Sequence, residues 1–227
     1  MNPPLPERDA ESPMARHCGL ILAAGASSRM GTEKALLTWP PSSPGAVAAG
    51  ATTLLSSAIL ALQPFTQAVV VVTGKNAGNL APVIAACSAR MVLNPDPERG
   101  QFSSLQTGLR EVLACGCDAA MITPVDCPPL SAATLHLLRD RFEDSLARGQ
   151  WAVAPESNGR HGHPLLAGRS LIDAFLAAPP TSNAREIRRA HARFFEYVAV
   201  PDLFLSADMN TPEEYAAASS KKHQQTS

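Results

Sequence analysis

Short apolar runs recur along the chain and alternate with segments long enough to form helices. The clearest runs cover residues 18–23, 68–73, 90–93 and 119–123, and Gly, Asn or Pro bounds them. A strand with apolar side chains on both faces is buried on both, which is typical of a parallel sheet between two helix layers. The alternation predicts an α/β fold, with a doubly wound, mostly parallel sheet and helices on both faces.

Helix-capping signals support this pattern. Asn183 precedes Glu186 by three positions, as in a capping box, and Thr211 precedes Pro212, which suits a first helical position. The predicted helices cover 52–62, 80–87, 103–114, 131–147, 170–177, 183–191 and 211–218. Looser runs at 151–154, 164–167 and 194–200 predict further strands, some of them antiparallel.

The ends of the chain and one internal segment lack such periodicity. Residues 1–16 are rich in proline and polar side chains and predict a disordered leader, and the polar residues 219–227 predict a disordered tail. Residues 39–50 (WPPSSPGAVAAG) predict a surface excursion. We therefore expect one folded domain over residues 17–218, long enough to bury a core without disulfides or metals.

Charge and composition exclude several classes of function. The chain carries 19 Lys and Arg against 20 Asp and Glu, so a general nucleic-acid binder is not expected. Its apolar stretches are far shorter than the ~20 residues that span a bilayer. The five cysteines include no C-x-x-C pair, which argues against a disulfide framework or a structural zinc site. We expect a cytoplasmic protein with neither nucleic acid nor membrane as its partner.

The loop after the first apolar run is the most informative segment. Residues 23–34 (AAGASSRMGTEK) combine small residues, hydroxyls and the cations Arg29 and Lys34. Small residues let backbone N–H groups approach an anion, and the two cations suit phosphate oxygens. The loop is neither a Walker A motif nor G-x-G-x-x-G. A phosphate-binding loop is the favoured interpretation, and a flexible turn with solvated cations is the alternative.

The string LAAGASSRMGTEK resembles the signature L-A-[AG]-G-x-[SG]-x-R-[MF]-G-x-x-K of nucleotidyltransferases related to molybdenum cofactor cytidylyltransferase and to the guanylyltransferase that forms the molybdopterin dinucleotide. Further stretches resemble this family in the same order: NP at 94–95, GQFSSL at 100–105, TPVDCP at 123–128, GHP at 162–164 and ADMNTP at 207–212. The resemblance implies a Rossmann-like nucleotidyltransferase fold over nearly the whole folded chain.

The resemblance also implies a role for individual residues. Arg29, Lys34 and Asp126 would be catalytic, Asp126 and Asp208 would bind Mg²⁺, and His163 would contact the acceptor. The residues that would bind the nucleoside triphosphate are Leu22, Ala23, Ala24, Gly25, Ser28, Arg29, Lys34, Asn94, Ser103 and Ser104.

Taken singly, Asp126 and Asp208 could each have a structural role instead of binding a metal. Asp126 follows an apolar run and precedes two prolines, a position that suits a hard ligand for Mg²⁺ but also a turn residue or helix cap. Asp208 likewise suits a turn or a cap. Two carboxylates at the ends of core segments, with a phosphate-binding loop in the same chain, favour the metal site.

The histidines and arginines of the second half also have two interpretations. His161 and His163 lie in a glycine-containing turn and could be surface residues, acceptor contacts or metal ligands, with His163 preferred as the acceptor contact. The helically spaced residues Arg185, Arg188, Arg189 and Arg193 could attract an acidic acceptor. A solvated cationic face is the commoner explanation, so these arginines are left out of the predicted site.

The reaction implied is attack by an acceptor phosphate on the α-phosphorus of a nucleotide, with pyrophosphate leaving. Ala24 stands where the guanylyltransferases usually have glycine, which favours CTP as the donor. The resemblance implies the molybdenum cofactor as the acceptor and a molybdoenzyme or its maturation chaperone as the protein partner. Thr32-Glu33 before Lys34 and the long segment 39–50 depart from the family pattern. The alternatives are a nucleotidyltransferase for sugar 1-phosphates or other small phosphates, and a nucleotide-binding module without turnover.

Overall fold

The first half of the chain forms four parallel strands. The computed structural model describes residues 15–25, 32–39, 52–202, 205, 209 and 211–225. Strand β1 lies between β2 and β4, and β3 pairs with β2. The strands are β1 (His17–Leu22), β2 (Ala68–Thr73), β3 (Arg90–Leu93) and β4 (Ala119–Pro124). The four clearest apolar runs thus form the parallel part of the sheet, as predicted.

The second half extends the same sheet with mixed pairing. Strand β7 is antiparallel to both β4 and β5, β6 is antiparallel to β5, and β8 is parallel to β5. These strands are β5 (Ala152–Ser157), β6 (Arg160–His161), β7 (Leu165–Gly168) and β8 (Phe195–Ala199). The predicted fold class, a mostly parallel, Rossmann-like sheet with some antiparallel extension, is confirmed.

The sequence prediction missed β6. Its turn consists of Asn158 and Gly159, both with positive φ, 51° and 74°. An Asn-Gly pair with this geometry makes the tight connection of a β-hairpin. That pair was the available signal for the hairpin.

Helices cover both faces of the sheet. They are α1 (Leu54–Leu62), α2 (Ala77–Ala86), α3 (Gln101–Ala114), α4 (Ala132–Ala147), α5 (Arg169–Ala177), α6 (Ala184–Ala190) and α7 (Pro212–Gln225). Both predicted N-cap residues cap their helices. The side-chain oxygen of Asn183 accepts from the backbone N–H of Glu186, and the hydroxyl of Thr211 accepts from the backbone N–H of Glu214. Helix α7 continues through Gln225, so residues 219–225 are helical where the polar composition predicted a disordered tail. Lys and Gln in this stretch favour helix.

Alternating side chains of the strands fill two cores. Ile21 and Val71 point to the core that α1, α2 and α4 close, whereas Leu20 and Val72 point to the core that α3 and α5 close. Gly108 lets α3 lie against the sheet, since a Cβ at that position would be 2.4 Å from Cδ1 of Leu20. This contact fixes α3, whose first residues border the site described below.

The remaining predictions on organisation have mixed outcomes. Trp39 was expected in a surface excursion, but it is only 3% exposed, and its backbone N–H donates to the carbonyl of Thr52. Residues 40–50 of that excursion and residues 1–14 of the leader lie outside the described residues. None of the helices described is long and apolar enough to cross a membrane.

All five cysteines are free thiols. Burial raises the pKa of the Cys18, Cys87 and Cys117 thiols, so they stay protonated near neutral pH.

Candidate active site

The carboxyl ends of β1 and β4 lie side by side and bring two loops together. Leu22 pairs with Pro124 at the end of the ladder, and the backbone N–H of Val125 donates to the carbonyl of Leu22 over 3.1 Å. The chain after β1 and the chain after β4 therefore leave the sheet as neighbours. In α/β sheets, ligands bind outside the carboxyl ends of the strands.

Lys34 and Asp126 meet at this edge of the sheet. Lys34 opens a single 3₁₀ turn that the fully buried Ala35 anchors, and its Nζ lies 3.4 Å from Oδ2 of Asp126. Their side chains are 14% and 27% exposed, respectively. A cation and a carboxylate from loops 92 residues apart thus share one partly buried position.

The backbone of Asp126 is also held by a later segment. Its carbonyl accepts from the backbone N–H of Met209 over 3.0 Å. Met209 follows Asp208 in the sequence, and Asp208, Ser28 and Arg29 themselves lie outside the described residues. Among the residues that are described, no group of three or more His, Cys, Asp or Glu is placed to hold a metal ion.

A cleft of about 320 Å³, the first cleft, opens beside this pair. Its volume lies within the range of about 300–1,000 Å³ that is usual for small-molecule sites. Leu22, Ala24, Gly25, Lys34 and Ser104 line it, as do Glu33, Pro97, Gly100, Gln101, Pro124, Val125 and Asp126. Five of the residues predicted to bind nucleotide thus border one cavity, whereas Ala23, Asn94 and Ser103 do not line it.

Asn94 and Ser103 do not line the first cleft, and their side chains instead stabilise the turn next to it. Asn94 is 3% exposed, and its side-chain nitrogen donates to the hydroxyls of Ser103 and Ser104 at 2.9 and 3.0 Å. Its side-chain oxygen accepts from the backbone N–H of Asp96, and the hydroxyl of Ser103 donates to the carbonyl of Gly100. Because these groups are satisfied within the protein, the network fixes the turn that precedes α3.

The backbone N–H and carbonyl of Ala23 are likewise hydrogen-bonded within the protein. Its N–H donates to the carbonyl of Val72, and its carbonyl accepts from the side-chain nitrogen of Asn76 over 2.9 Å. The side-chain oxygen of Asn76 accepts in turn from the N–H of Gly74. A Cβ on Gly74 would come within 2.8 Å of the carbonyl oxygen of Ala24, so only glycine fits there. Sequence reasoning missed Gly74 and Asn76, although a glycine and an asparagine just after β2 were a usable signal.

A second cleft of about 690 Å³ continues from the first. The two share Leu22, Gly100, Gln101, Pro124 and Asp126. The further lining residues of the second cleft include Phe102, Cys127, His163, Phe175, Arg185 and Arg188. Asp126 therefore borders both cavities at the point where they join.

His163, the predicted acceptor contact, lies in the second cleft. Its Nδ1 is 3.3 Å from the carbonyl oxygen of Ile122, and the peptide bond to Pro164 is cis. His161 lines neither of these two clefts; its Nε2 is 3.5 Å from a carboxylate oxygen of Glu156. Arg185 and Arg188, which the sequence prediction left out, lie in the lining because α6 turns that face toward the cavity.

A family model described as the MobA-like NTP transferase domain matches residues 19–194. The chain is 26% identical over 200 residues to the molybdenum cofactor cytidylyltransferase of Escherichia coli (strain K12), covering 88% of this chain and 93% of that protein. It is 25% identical over 198 residues to a probable molybdenum cofactor guanylyltransferase of Rhodopirellula baltica, covering 86% and 88%.

Solved structures share the fold. That of Rv0371c from Mycobacterium tuberculosis H37Rv superposes with a TM-score of 0.71 at 21% identity, covering 90% of this chain and 98% of the other. A putative glucose-1-phosphate thymidylyltransferase from Bacillus anthracis superposes with a TM-score of 0.66 at 15% identity, covering 90% and 94%. At these identities the likeness concerns the fold alone.

Proposed function

The chain belongs to the MobA-like NTP transferase family, and on that basis we propose that it transfers CMP from CTP to the phosphate of a molybdenum cofactor acceptor, with release of pyrophosphate. The observation that carries the proposal is the junction at Asp126. Two clefts meet there, beside Lys34, at the carboxyl ends of β1 and β4. A transfer between two substrates requires such a junction, since the donor and the acceptor must touch at one point.

The proposed donor site is the first cleft. The backbone of Ala24 and Gly25 would lie along the nucleotide, with Ser28 and Arg29 contributing from the same loop. Lys34 would neutralise charge on the phosphates, for which its position next to Asp126 is suitable. Asn94 and Ser103 would act indirectly, by holding the turn that carries Gly100 and Ser104.

The reaction needs little chemistry from the protein. An oxygen of the acceptor phosphate forms a bond to the α-phosphorus, and the bond from that phosphorus to the bridging oxygen of pyrophosphate breaks. An ionised phosphate is already a nucleophile at neutral pH, so no general base is required. The work of the site is to align the two phosphates and to offset their charge.

The residues at the junction fit a magnesium ion. Mg²⁺ prefers one or two carboxylates together with phosphate oxygens and water. Asp126 offers a half-buried carboxylate, and Asp208 would be the second ligand, since its neighbour Met209 is hydrogen-bonded to Asp126. When bound, the ion would polarise the α-phosphate and screen the charge between the reacting groups.

The choice of CTP and of the acceptor is supported by residues in each cleft. Ala24 borders the first cleft, and a methyl group at this position, in place of glycine, would disfavour a larger purine. His163 and the cations Arg185 and Arg188 border the second cleft and suit a phosphorylated acceptor. A cofactor product would be handed to a molybdoenzyme or its maturation chaperone, which is the protein partner we propose.

The test is a pyrophosphate-release assay with the purified full chain, Mg²⁺ and each of the four NTPs. Each reaction contains molybdopterin, glucose 1-phosphate or no acceptor. We expect release with CTP and molybdopterin only. Tight nucleotide binding without release would indicate a non-catalytic binding module, and release only with the sugar phosphate would favour the alternative acceptor. A preference for GTP would contradict the role given to Ala24.

A further inference from the structure

A third cleft, here called the arginine cleft, adjoins the second one. Its volume is about 620 Å³, and it shares His163, Arg185 and Arg188 with the second cleft. Its remaining lining consists of Arg160, His161, Gly162, Arg189, Ala192, Tyr197 and Leu205. A ligand bound at Asp126 could thus extend past His163 into a cavity that neither the donor nor the reacting phosphate occupies.

The four arginines of this cleft lack counter-charges within the described part of the chain. None has a carboxylate oxygen within 4.0 Å there, whereas Arg139, Arg148 and Arg169 elsewhere on the surface each pair with an acid. Neighbouring like charges on a helix such as α6 repel one another. A concave surface that gathers unpaired guanidinium groups concentrates anions from solution.

Arg188 gives the clearest case, because it is half-buried. Its guanidinium carbon lies 5.8 Å from the centre of the Phe195 ring, and that ring supplies only a weak attraction in place of a carboxylate. Glu156, on strand β5, lies 3.5 Å from His161 and does not line the cleft. The position suits an anion brought by a ligand.

One wall of the arginine cleft is aromatic. The ring of His161 stacks on the ring of Tyr197 with centroids 3.7 Å apart and planes inclined by 10°. Both side chains are exposed at the cleft. A flat surface next to arginines suits a planar ring that carries negative charge, because it allows stacking and charge-assisted hydrogen bonds in one place.

We propose that the arginine cleft binds a second anionic group of the acceptor, attached to a planar ring and separate from the phosphate that reacts. The cleft would then select elongated acceptors with negative charge at both ends over sugar 1-phosphates, which carry one such group. That the ligand is the acceptor rests on the function proposed above. That the cleft binds a planar anion rests on Arg160, Arg188, Arg189 and the stacked pair alone.

Binding of pterin-6-carboxylate, a fluorescent planar anion, tests the site without turnover. The full chain is titrated against the probe by fluorescence anisotropy, together with the variants Arg160→Gln and Arg189→Gln, which lie outside the first and second clefts. We expect each variant to bind the probe about tenfold more weakly, as for the loss of one hydrogen bond to a charged group. Affinity should also fall as salt is raised.

Arg193→Gln is the matched control, because Arg193 lies over Phe194 next to α6 and does not line the cleft. Equal weakening in this control, unchanged binding in the two test variants, or equally tight binding of a pterin without the carboxylate would overturn the proposal. Thermal unfolding of each variant verifies that it is folded.

Titration with CTP separates this proposal from the proposed function. The arginine cleft and the first cleft share no lining residue, so CTP should bind the two variants as it binds the unaltered chain. A chain that binds the probe through its arginines but does not transfer CMP to molybdopterin would contradict the function and support the cleft. Transfer to molybdopterin that Arg160→Gln and Arg189→Gln leave unchanged would contradict the cleft as an acceptor site and support the function.

Discussion

The two halves of the sheet form their parts of the site in different ways. In the parallel half, Lys34 and Asp126 lie together beyond the ends of β1 and β4, and the side chain of Asn76 donates to the carbonyl of Ala23 just after β1. In the mixed half, the hairpin of β5 and β6 and the face of α6 bring side chains together across the sheet. The first half therefore offers mainly backbone and small side chains to the proposed donor, and the second offers long side chains to the proposed acceptor.

Asp126 lines both the first and the second cleft, so its substitution should have the largest effect on activity. We expect Asp126→Asn to lower kcat by about three orders of magnitude with any acceptor, because the proposed metal ion would contribute several kcal/mol of charge stabilisation. The assay is pyrophosphate release. Asp140→Asn, which changes an exposed carboxylate on α4, is the control and should keep full activity. Comparable rates in the two variants would refute the role of Asp126.

Lys34 should affect the donor side alone. Lys34→Gln removes a cation from the first cleft, and we expect CTP to bind about 10- to 100-fold more weakly, the usual cost of a lost charge-assisted hydrogen bond. Isothermal titration with CTP measures this change. Binding of the pterin probe should stay as it is. A parallel loss of probe binding would show that the two halves are not independent.

His163 gives the reciprocal experiment on the acceptor side. His163→Gln keeps a polar side chain but changes its shape, and we expect the acceptor KM to rise about three- to tenfold. The dissociation constant of CTP should not change. His136→Gln, an exposed histidine on α4 next to Phe65, is the control. If CTP binding fell and the acceptor KM did not, the assignment of the second cleft would be wrong.

The smallest effect is expected for Tyr215. Its hydroxyl donates to the carbonyl of Thr38 over 2.6 Å and ties α7 to the segment that carries Lys34. Tyr215→Phe should lower the free energy of unfolding by about 1 kcal/mol and raise the KM for CTP about two- to threefold. Urea unfolding and steady-state kinetics test the two parts. A loss of stability without any change in KM would limit Tyr215 to a structural role.

The sequence predicted the parallel half better than the mixed half, for physical reasons. Strands β1 and β4 are apolar on both faces, so their ends, and with them Lys34 and Asp126, could be located in advance. The sequence could not predict whether the Asn94 side chain faces a ligand or the protein, because its amide can form hydrogen bonds in either environment. Arg185 and Arg188 line the second cleft because of the rotation of α6 about its axis. A helix with charged residues on most sides has no apolar face from which this rotation could be predicted.

The hydrogen bond between Tyr215 and Thr38 joins residues 177 positions apart. Closing a loop of this length costs more chain entropy than closing a short one. If α7 opens locally, this contact is lost and the segment that carries Lys34 loses a support while the sheet stays paired. Nucleotide would then bind only the fully folded chain, and its presence would raise the apparent stability of that state by mass action.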